Sequence, residues 1–494
     1  MSTQWRPSDD EVCFDDSNAF LRSLVAGQVG VDRAASVALA ARDADGWREL
    51  TYAELDRHCS AVHALLARAG VVAGDRVIIQ DDPSPAWVAV LLGVWRAGGI
   101  AVPVDPHVTD AEMRPTTARC NPALVIVDAA QSVADAQLAG TPPSAVTRRM
   151  SDPALIVWTS GTTGTPKGVT LTFDNVAYDV RSAVVTQRLA PADRWLSVLP
   201  LHHMLELSCA LLSSLTCGAE LSFAQTLFPA EIVGLMQERR TTHLMTVPLL
   251  LRLLRPAIAR SDVRPRVLFV GGAPLPSGTI EAYAELGIPV YQGYGLTETS
   301  PLISANSPDH DRPGSVGRPL PGTEIRVDAT GELQVRSPAV MAGYWEDDAS
   351  TDAVVIDGWF VTGDLGFVDA EGFVHVTGRA KNLIVLESGK KVQPEEVETA
   401  LHASPLFAEV CVVGVPSHRD RDSGAQEVCA VVVPCSTMSD DEAAAEVTRV
   451  SGGLSSHKRP TAVVVADDEL PKTAKRSIVR PAVVAMATSR RTAP

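Results

Sequence analysis

The sequence predicts an α/β protein whose large N-terminal part is built on mainly parallel sheets and carries a β-rich subdomain after residue 318. Two observations carry this reading. Between Leu50 and Val104, apolar residues at helical spacing alternate with short, wholly apolar runs that end at Gly or Pro, the pattern of strands buried on both faces beneath crossover helices. From Arg318 onward the pattern changes. Gly331-Glu332-Leu333-Gln334-Val335-Arg336 and Phe373-Val374-His375-Val376 alternate polar with apolar residues, as antiparallel strands with one solvated face do, and Gly343-Tyr344-Trp345 and Gly358-Trp359-Phe360 punctuate them.

Taken in order, residues 1 to 18 are acidic and read as a solvated arm, with a short amphipathic helix from Asn18 to Ala26. Thr51-Tyr52-Ala53-Glu54-Leu55 opens a helix running through Leu66, and Gly74-Asp75-Arg76 introduces the strand Val77-Ile78-Ile79. Trp87 to Gly98 reads as a buried helix stopped by Gly98-Gly99, and Ile100 to Val104 as a strand. Leu155-Ile156-Val157-Trp158 fits a buried strand and Trp195 to Pro200 a further strand, Val267 to Ala273 and Val290 to Gly295 are strand-like runs that end in glycines, and Asn175 to Val185 is a helix. Near the C-terminus, strands are expected at Val410–Val415, Val428–Val433 and Val463–Val465, and Ser439-Asp440-Asp441-Glu442 spells a capping box.

Composition narrows the function classes. The 494 residues suffice for about three average domains. Apolar content of 46% with 21% charged residues is that of a globular chain, and the net charge of −16 disfavours nucleic acid or an anionic membrane as the main partner. The N-terminus has no basic-then-apolar leader, and no apolar run reaches the roughly 18 residues a membrane span needs, so a cytoplasmic location is expected. The eight cysteines (13, 59, 120, 209, 217, 411, 429 and 435) contain no C-x-x-C pair and read as small buried hydrophobes. His202-His203 has no ligand-spaced partner, so a metal cage made by protein alone is not expected.

The most informative stretch is Leu155–Thr172, LIVWTSGTTGTPKGVTLT. A buried strand feeds a loop of Gly, Ser and Thr closed by Pro166-Lys167-Gly168. Gly161 and Gly164 allow close backbone approach, Thr159, Ser160, Thr162 and Thr163 add hydroxyl donors, and Lys167 adds positive charge, a combination suited to polyphosphate. It is not a Walker A loop, because Gly-Lys-Ser/Thr does not follow at the required spacing. TSGTTGTPKG resembles the phosphate loop of the adenylate-forming superfamily of acyl-CoA synthetases, peptide-synthetase adenylation domains and luciferases.

Further motifs follow in the order of that superfamily, over about Leu50 to Arg480. The resemblance implies ATP or AMP, CoA and Mg²⁺ as cofactors and a carboxylic acid or its acyl-adenylate as substrate. His203 matches a residue between nucleotide and acyl pocket. The apolar residues after Glu206, with part of 268–303, match the pocket lining. Gly272 and Ala273 match a strand end that receives the nucleotide. In Tyr294-Gly295-Leu296-Thr297-Glu298 the tyrosine is implied to stack on adenine, Thr297 to touch the α-phosphate and Glu298 to hold Mg²⁺. Asp364, in Thr362-Gly363-Asp364, is implied to take the ribose hydroxyls, and Arg379 to contact ribose or phosphate. Lys381 occupies the superfamily's hinge position. This implies a domain 1–380, with its β-rich subdomain 318–380, and a small mobile α+β domain 381–494. Gly389 is implied to flank the pantetheine tunnel, and Lys390, Lys391, Lys458 and Arg459 are candidates for the CoA phosphates.

Three positions depart from the superfamily pattern. Asn382 stands where Asp is usual, Phe173 where His is usual, and in Leu470-Pro471-Lys472-Thr473-Ala474-Lys475-Arg476-Ser477-Ile478-Val479-Arg480 the catalytic lysine aligns with Ser477. The expectation is therefore an acyl-CoA ligase of specialised metabolism that transfers acyl groups from acyl-adenylate to CoA, adenylates its acid poorly or not at all, and is served by a separate adenylating enzyme. The alternatives are a complete two-step synthetase using Lys475 or Lys472, a protein that loads a carrier, a luciferase-like oxygenase, and a nucleotide-binding homologue without catalysis.

Overall fold

The computed structural model describes residues 14–25, 33–138, 140–159, 166–275, 277–388, 390–416, 426–472 and 478–492. Ser160, Gly161, Thr162, Thr163, Gly164, Gly389, Lys475 and Ser477 lie outside the described residues. The chain divides into two compact units. One comprises residues 1–325, 334–361 and 369–374, the other 326–333, 362–368 and 375–494.

The larger unit holds two sheets. One has nine strands, in the order Arg318–Pro319, Ser304–Ala305, Val290–Tyr294, Val267–Val270, His243–Thr246, Arg194–Ser197, Glu220–Phe223, Val37–Asp43 and Gly46–Thr51. Its centre is parallel, and its two edges are antiparallel. The hairpin Val37–Thr51 has no counterpart in the sequence reading, because Gly46–Thr51 at the edge buries nothing fully and so carries no apolar signal. The other sheet runs Gly343–Tyr344, Lys167–Thr172, Pro153–Thr159, Ile100–Pro103, Arg76–Ile79 and Leu124–Ile126.

Local chemistry explains the helices between these strands. Thr51 accepts from the backbone of Glu54, whose carboxylate returns to Thr51, and this capping box starts Tyr52–Arg68. Ser84 caps Pro85–Arg96, a helix buried on nearly all sides that ends before Gly98 at φ +76. Thr172 and Asn175 form the box opening Phe173–Thr186. The ring of Phe173, fully buried, meets Trp95 edge-on at 5.7 Å between centroids. Core packing thus accounts for the phenylalanine at this position.

Three expectations are corrected. Phe14 lies 5.3 Å from Phe20, and Ser17 is fully buried at the start of Ser17–Val25, so the end of the N-terminal arm packs onto the core. Gly343-Tyr344 does not punctuate the β-rich subdomain. It is an edge strand on Lys167–Thr172, pairing Tyr344 with Val169, because a two-residue strand is too short for its alternation to be read. Cys435 is exposed, whereas the other described cysteines are buried.

The smaller unit contains a three-stranded sheet in which Phe407–Pro416 pairs antiparallel with Gln426–Pro434, which pairs parallel with Ala462–Val465. Ser439 and Glu442 form the expected capping box of Asp440–Val450. A terminal helix, Arg480–Thr492, buries Val483 and Ala487 against one face of that sheet.

Replacing Phe173 with Ala opens a cavity beside Trp95. Urea unfolding is expected to show a loss of about 3–5 kcal/mol for Phe173→Ala.

Candidate active site

In the larger unit, Thr159 and Lys167 pair across the two strands flanking the phosphate loop, and the Thr159 hydroxyl donates to the Lys167 carbonyl oxygen at 3.4 Å. The Lys167 ammonium lies 4.7 Å from the centre of the Tyr344 ring. The Tyr344 hydroxyl in turn donates to Glu298 Oε1 at 2.9 Å. Burial, with the Glu298 carboxylate beside it, holds the Tyr344 phenol above its ordinary range. One tyrosine therefore ties the loop lysine to the motif glutamate. Sequence reasoning missed it because its role depends on the Tyr344–Val169 pairing.

Glu298 sits on the single turn Thr297–Thr299 after the strand Val290–Tyr294. A Cβ at Gly295 would fall onto the carbonyl of Pro301, so only glycine lets the chain fold back and present Thr297 and Glu298 here. The neighbouring parallel strand ends in Gly271-Gly272, with Gly272 at φ +81 and both Gly272 and Ala273 exposed. Tyr294 and Gly272 thus lie at the carboxyl ends of adjacent strands, where open α/β sheets bind ligands. His203 precedes the turn Met204–Glu206, half-buried, with its ring 4.2 Å from that of His202.

This edge fits a nucleotide, with exposed glycine backbone, a loop lysine and hydroxyl-bearing residues on one rim. It also fits Mg²⁺. No group of three His, Cys, Asp or Glu side chains able to hold a metal occurs among the described residues. A cation at Glu298 would draw its remaining oxygens from phosphate and water, as Mg²⁺ does.

Beneath this rim is a cavity. Met245, Phe269 and Tyr291 are in register on three neighbouring strands and so share one face, and Trp195 stacks on Phe269 at 5.6 Å. Two positions further on, the same face carries Gly271 and Gly293, whose added Cβ atoms would press on Leu205 and Leu302. All six side chains, with Gly293, line the cavity.

Two carboxyls are buried beside it. Asp179 accepts from the Ser208 hydroxyl and, at 2.9 Å, from the Leu302 backbone, and burial raises its pKa well above the carboxylate range. Glu206 is fully buried, and neither carboxyl oxygen is hydrogen-bonded among the described residues, although Ser197 and the Val198 and Leu199 backbone lie near. Burial pushes its pKa up to about 8.

In the smaller unit, Asp364 is 2% exposed, and its Oδ1 lies 2.6 Å from Arg379 Nε. Lys381 follows on the turn Ala380–Asn382, where burial and the Arg379 and Arg480 charges depress its pKa. The Asn382 amide donates to Glu395 Oε1 at 2.7 Å. An aspartate in its place would set two carboxylates against each other. Arg480 bonds Glu398 at 2.8 Å and the Val412 carbonyl at 2.6 Å.

The CoA-phosphate candidates are spread differently. Lys458 pairs with Glu396 at 2.7 Å, and Arg459 donates to the Leu454 and Gly452 carbonyls. Lys390 and Lys391 are exposed. Lys472 pairs with Glu409 and, at 3.0 Å, with Glu469. Lys472 and Ile478 form an antiparallel bridge, and Val479 N–H donates to the Pro471 carbonyl at 2.8 Å.

Comparison with known proteins shows the family. The AMP-binding enzyme family matches residues 26–345, and the AMP-binding enzyme C-terminal domain matches 396–476. This chain belongs to the adenylate-forming superfamily. Its relatives include a feruloyl-CoA synthase of Amycolatopsis sp, 31% identical over 88% of this chain and 93% of the relative. An indoleacetate–CoA ligase of Aromatoleum aromaticum is 32% identical over 86% and 91%. ATP-bound MatB of Rhodopseudomonas palustris superposes with a TM-score of 0.84 at 30% identity, covering 95% of this chain and 99% of that one. The o-succinylbenzoate CoA synthetase MenE of Bacillus subtilis, in complex with the acyl-adenylate OSB-AMP, does so at 0.83 and 27%, covering 94% and 97%. Like its family, the protein is an enzyme of the class that forms acid–thiol bonds, and ATP or AMP and CoA are the family's cofactors. No described helix is long and apolar enough to cross a membrane.

Tyr344→Phe keeps the ring under Lys167 and removes the donor to Glu298. A loss of about 1.5–3 kcal/mol in unfolding free energy is expected, the usual range for a hydrogen bond to a charged group.

The folded chain holds the Glu206 proton up to about pH 8, whereas an unfolded carboxyl releases it near its ordinary 4.5. The associated stability is complete below about pH 4.5 and declines as pH rises, until it is lost through pH 8. Melting curves between pH 5 and 8.5 should show Glu206→Gln gaining on the parent chain by more than about 1 kcal/mol across that interval.

Proposed function

We propose that this enzyme is an acyl-CoA ligase specialised for the second half-reaction, transfer of an acyl group from acyl-adenylate to CoA. The observation that supports it most is in the sequence, where Ser477 aligns without gaps with the superfamily's catalytic lysine. Just beyond it, Ile478 bridges to Lys472 and Val479 N–H donates to the Pro471 carbonyl. Lys472 is moreover engaged by Glu409 and Glu469. Lys475 is the lysine left for the second reading, a complete two-step synthetase.

Adenylation brings a carboxylate onto a triphosphate and depends on a cation at that point. Deleting one such group costs on the order of 10²–10³ in rate. Transfer has no such requirement. The CoA sulfur attacks the acyl carbon, a C–S bond forms, the bond from acyl carbon to phosphate oxygen breaks, AMP leaves, and the thiol proton passes to solvent. Among this chain's residues, Thr297 and the phosphate loop would hold the α-phosphate, Tyr294 and the Gly272–Ala273 edge the base, and Asp364 with Arg379 the ribose. Mg²⁺ at Glu298, when bound, supplies neutralisation of phosphate charge. Lys381 would be the hinge between residues 1–380 and 381–494, and a separate enzyme would supply the adenylate.

The test uses purified full-length protein with ferulate, indoleacetate or 2-succinylbenzoate. One arm contains acid, ATP, Mg²⁺ and CoA, the other the synthetic acyl-AMP and CoA. Acyl-CoA is expected at least about 100-fold faster from the acyl-AMP arm. Comparable rates would overturn the separation, and loss of the ATP-dependent route in Lys475→Ala would then identify the substitute lysine.

A further inference from the structure

Arg119 stands in the last turn of the helix Asp110–Cys120 and belongs to none of the motifs above. Its guanidinium nevertheless reaches the closing arm of the phosphate loop. Nη1 donates to the Pro166 carbonyl oxygen at 2.8 Å, one peptide before Lys167, and Nη2 donates to the Trp345 carbonyl oxygen at 3.2 Å. The guanidinium carbon lies 5.3 Å from the centre of the Trp158 ring. The attachment is reciprocal, because Trp345 Nε1 donates to the Arg119 carbonyl oxygen at 3.3 Å. The Trp345 backbone N–H in turn donates to the Gly168 carbonyl oxygen at 2.7 Å. Lys167 is thus held from both sides, at Pro166 through Arg119 and at Gly168 through Trp345.

The same guanidinium faces a carboxylate. Asp347 Oδ1 caps the helix Asp348–Asp352 by accepting from the Ser350 backbone at 3.1 Å, and Oδ2 lies 3.9 Å from Arg119 Nη2. The Ser350 backbone, and after it the Lys167 and Arg119 charges, hold the Asp347 carboxyl below its ordinary range, so both cations lie within its field. Lys167 itself has no hydrogen bond or ion pair to a carboxylate among the described residues, and its ammonium rests on the Tyr344 ring. A lysine that meets phosphate needs that freedom, since a carboxylate closing on it competes with phosphate oxygens for the same three hydrogens. Arg119 faces the oxygen of Asp347 that the helix cap leaves over.

We propose that Arg119 is a positioning residue for Lys167. Through the Pro166 carbonyl it fixes the peptide that carries the lysine, and through Asp347 Oδ2 it keeps that carboxylate off the ammonium, so that the lysine is presented to the phosphates of ATP. The inference rests on the family's use of ATP and not on which half-reaction this enzyme favours.

Calorimetry of the full-length protein tests this with ATP and Mg²⁺ and, as a phosphate-free control, adenosine. Arg119→Met is expected to weaken ATP binding on the order of 10-fold, the share of a charge-assisted hydrogen bond, and to leave adenosine binding within about 2-fold. Two second substitutions separate positioning from support of the fold. In a Lys167→Ala background, Arg119→Met should cost ATP binding no more than about 2-fold, because the residue it acts through is gone. Asp347→Asn, which keeps the helix cap, should return most of the affinity lost in Arg119→Met. Arg119→Gln keeps a donor for Pro166 and lacks the charge that faces Asp347. Its smaller loss should be abolished by Asp347→Asn, and it carries the test if Arg119→Met does not fold. Unchanged ATP affinity in the Arg119 variants would overturn the inference, as would an equal loss for adenosine, a full loss retained in the Lys167→Ala background, or no recovery with Asp347→Asn.

Discussion

The pairing of Gly343–Tyr344 with Lys167–Thr172 is the constraint on which the rim of the larger unit depends. It completes the six-stranded sheet at one edge. It also carries the Tyr344 ring under the Lys167 ammonium and its hydroxyl onto Glu298. The tyrosine separates the lysine from the glutamate while orienting both. Gly295 does the complementary work on the other side, since its missing Cβ is what lets the chain turn back at Pro301 and bring Thr297 and Glu298 to the strand ends.

Below that rim the nine-stranded sheet alternates bulk and emptiness along one face. Phe269 and Tyr291 fill one register level, and Gly271 and Gly293 vacate the next. Leu205 and Leu302 stand over those two glycines. Asp179 and Glu206 are both buried nearby, and burial raises the pKa of each carboxyl.

In the smaller unit, whose sheet is packed on both faces by apolar clusters, polar contacts tie the peripheral elements together. Arg480 on Glu398 and the Val412 carbonyl, with Asn382 on Glu395, tie the terminal helix and the Lys381 turn to the helix Pro394–Leu401. Asn382 is an accommodation to that network, because an amide can donate where a carboxylate could not. Lys472 is drawn into a comparable pairing with Glu409 and Glu469.

Much of the fold was legible in the chain itself. Wholly apolar runs such as Val77–Ile79 and Val267–Val270, the Ser439–Glu442 capping box, and the glycine stops after buried helices are local signals, and local signals survive in a sequence. So are motifs in which every partner is near in sequence, as in Tyr294-Gly295-Leu296-Thr297-Glu298. The edge strand at Tyr344, the hairpin Val37–Thr51, the packing of Phe14 on Phe20, the commitment of Lys458 and Lys472 to carboxylates, and the reach of Arg119 to Pro166 and Asp347 were not legible. Each depends on residues far apart in the chain. Which side chain meets which, and which polar atom is left without a partner, is settled by strand register and burial, so the chain by itself determined the family and its chemistry, and the tertiary structure decided how this member sets its charges and shapes its pocket.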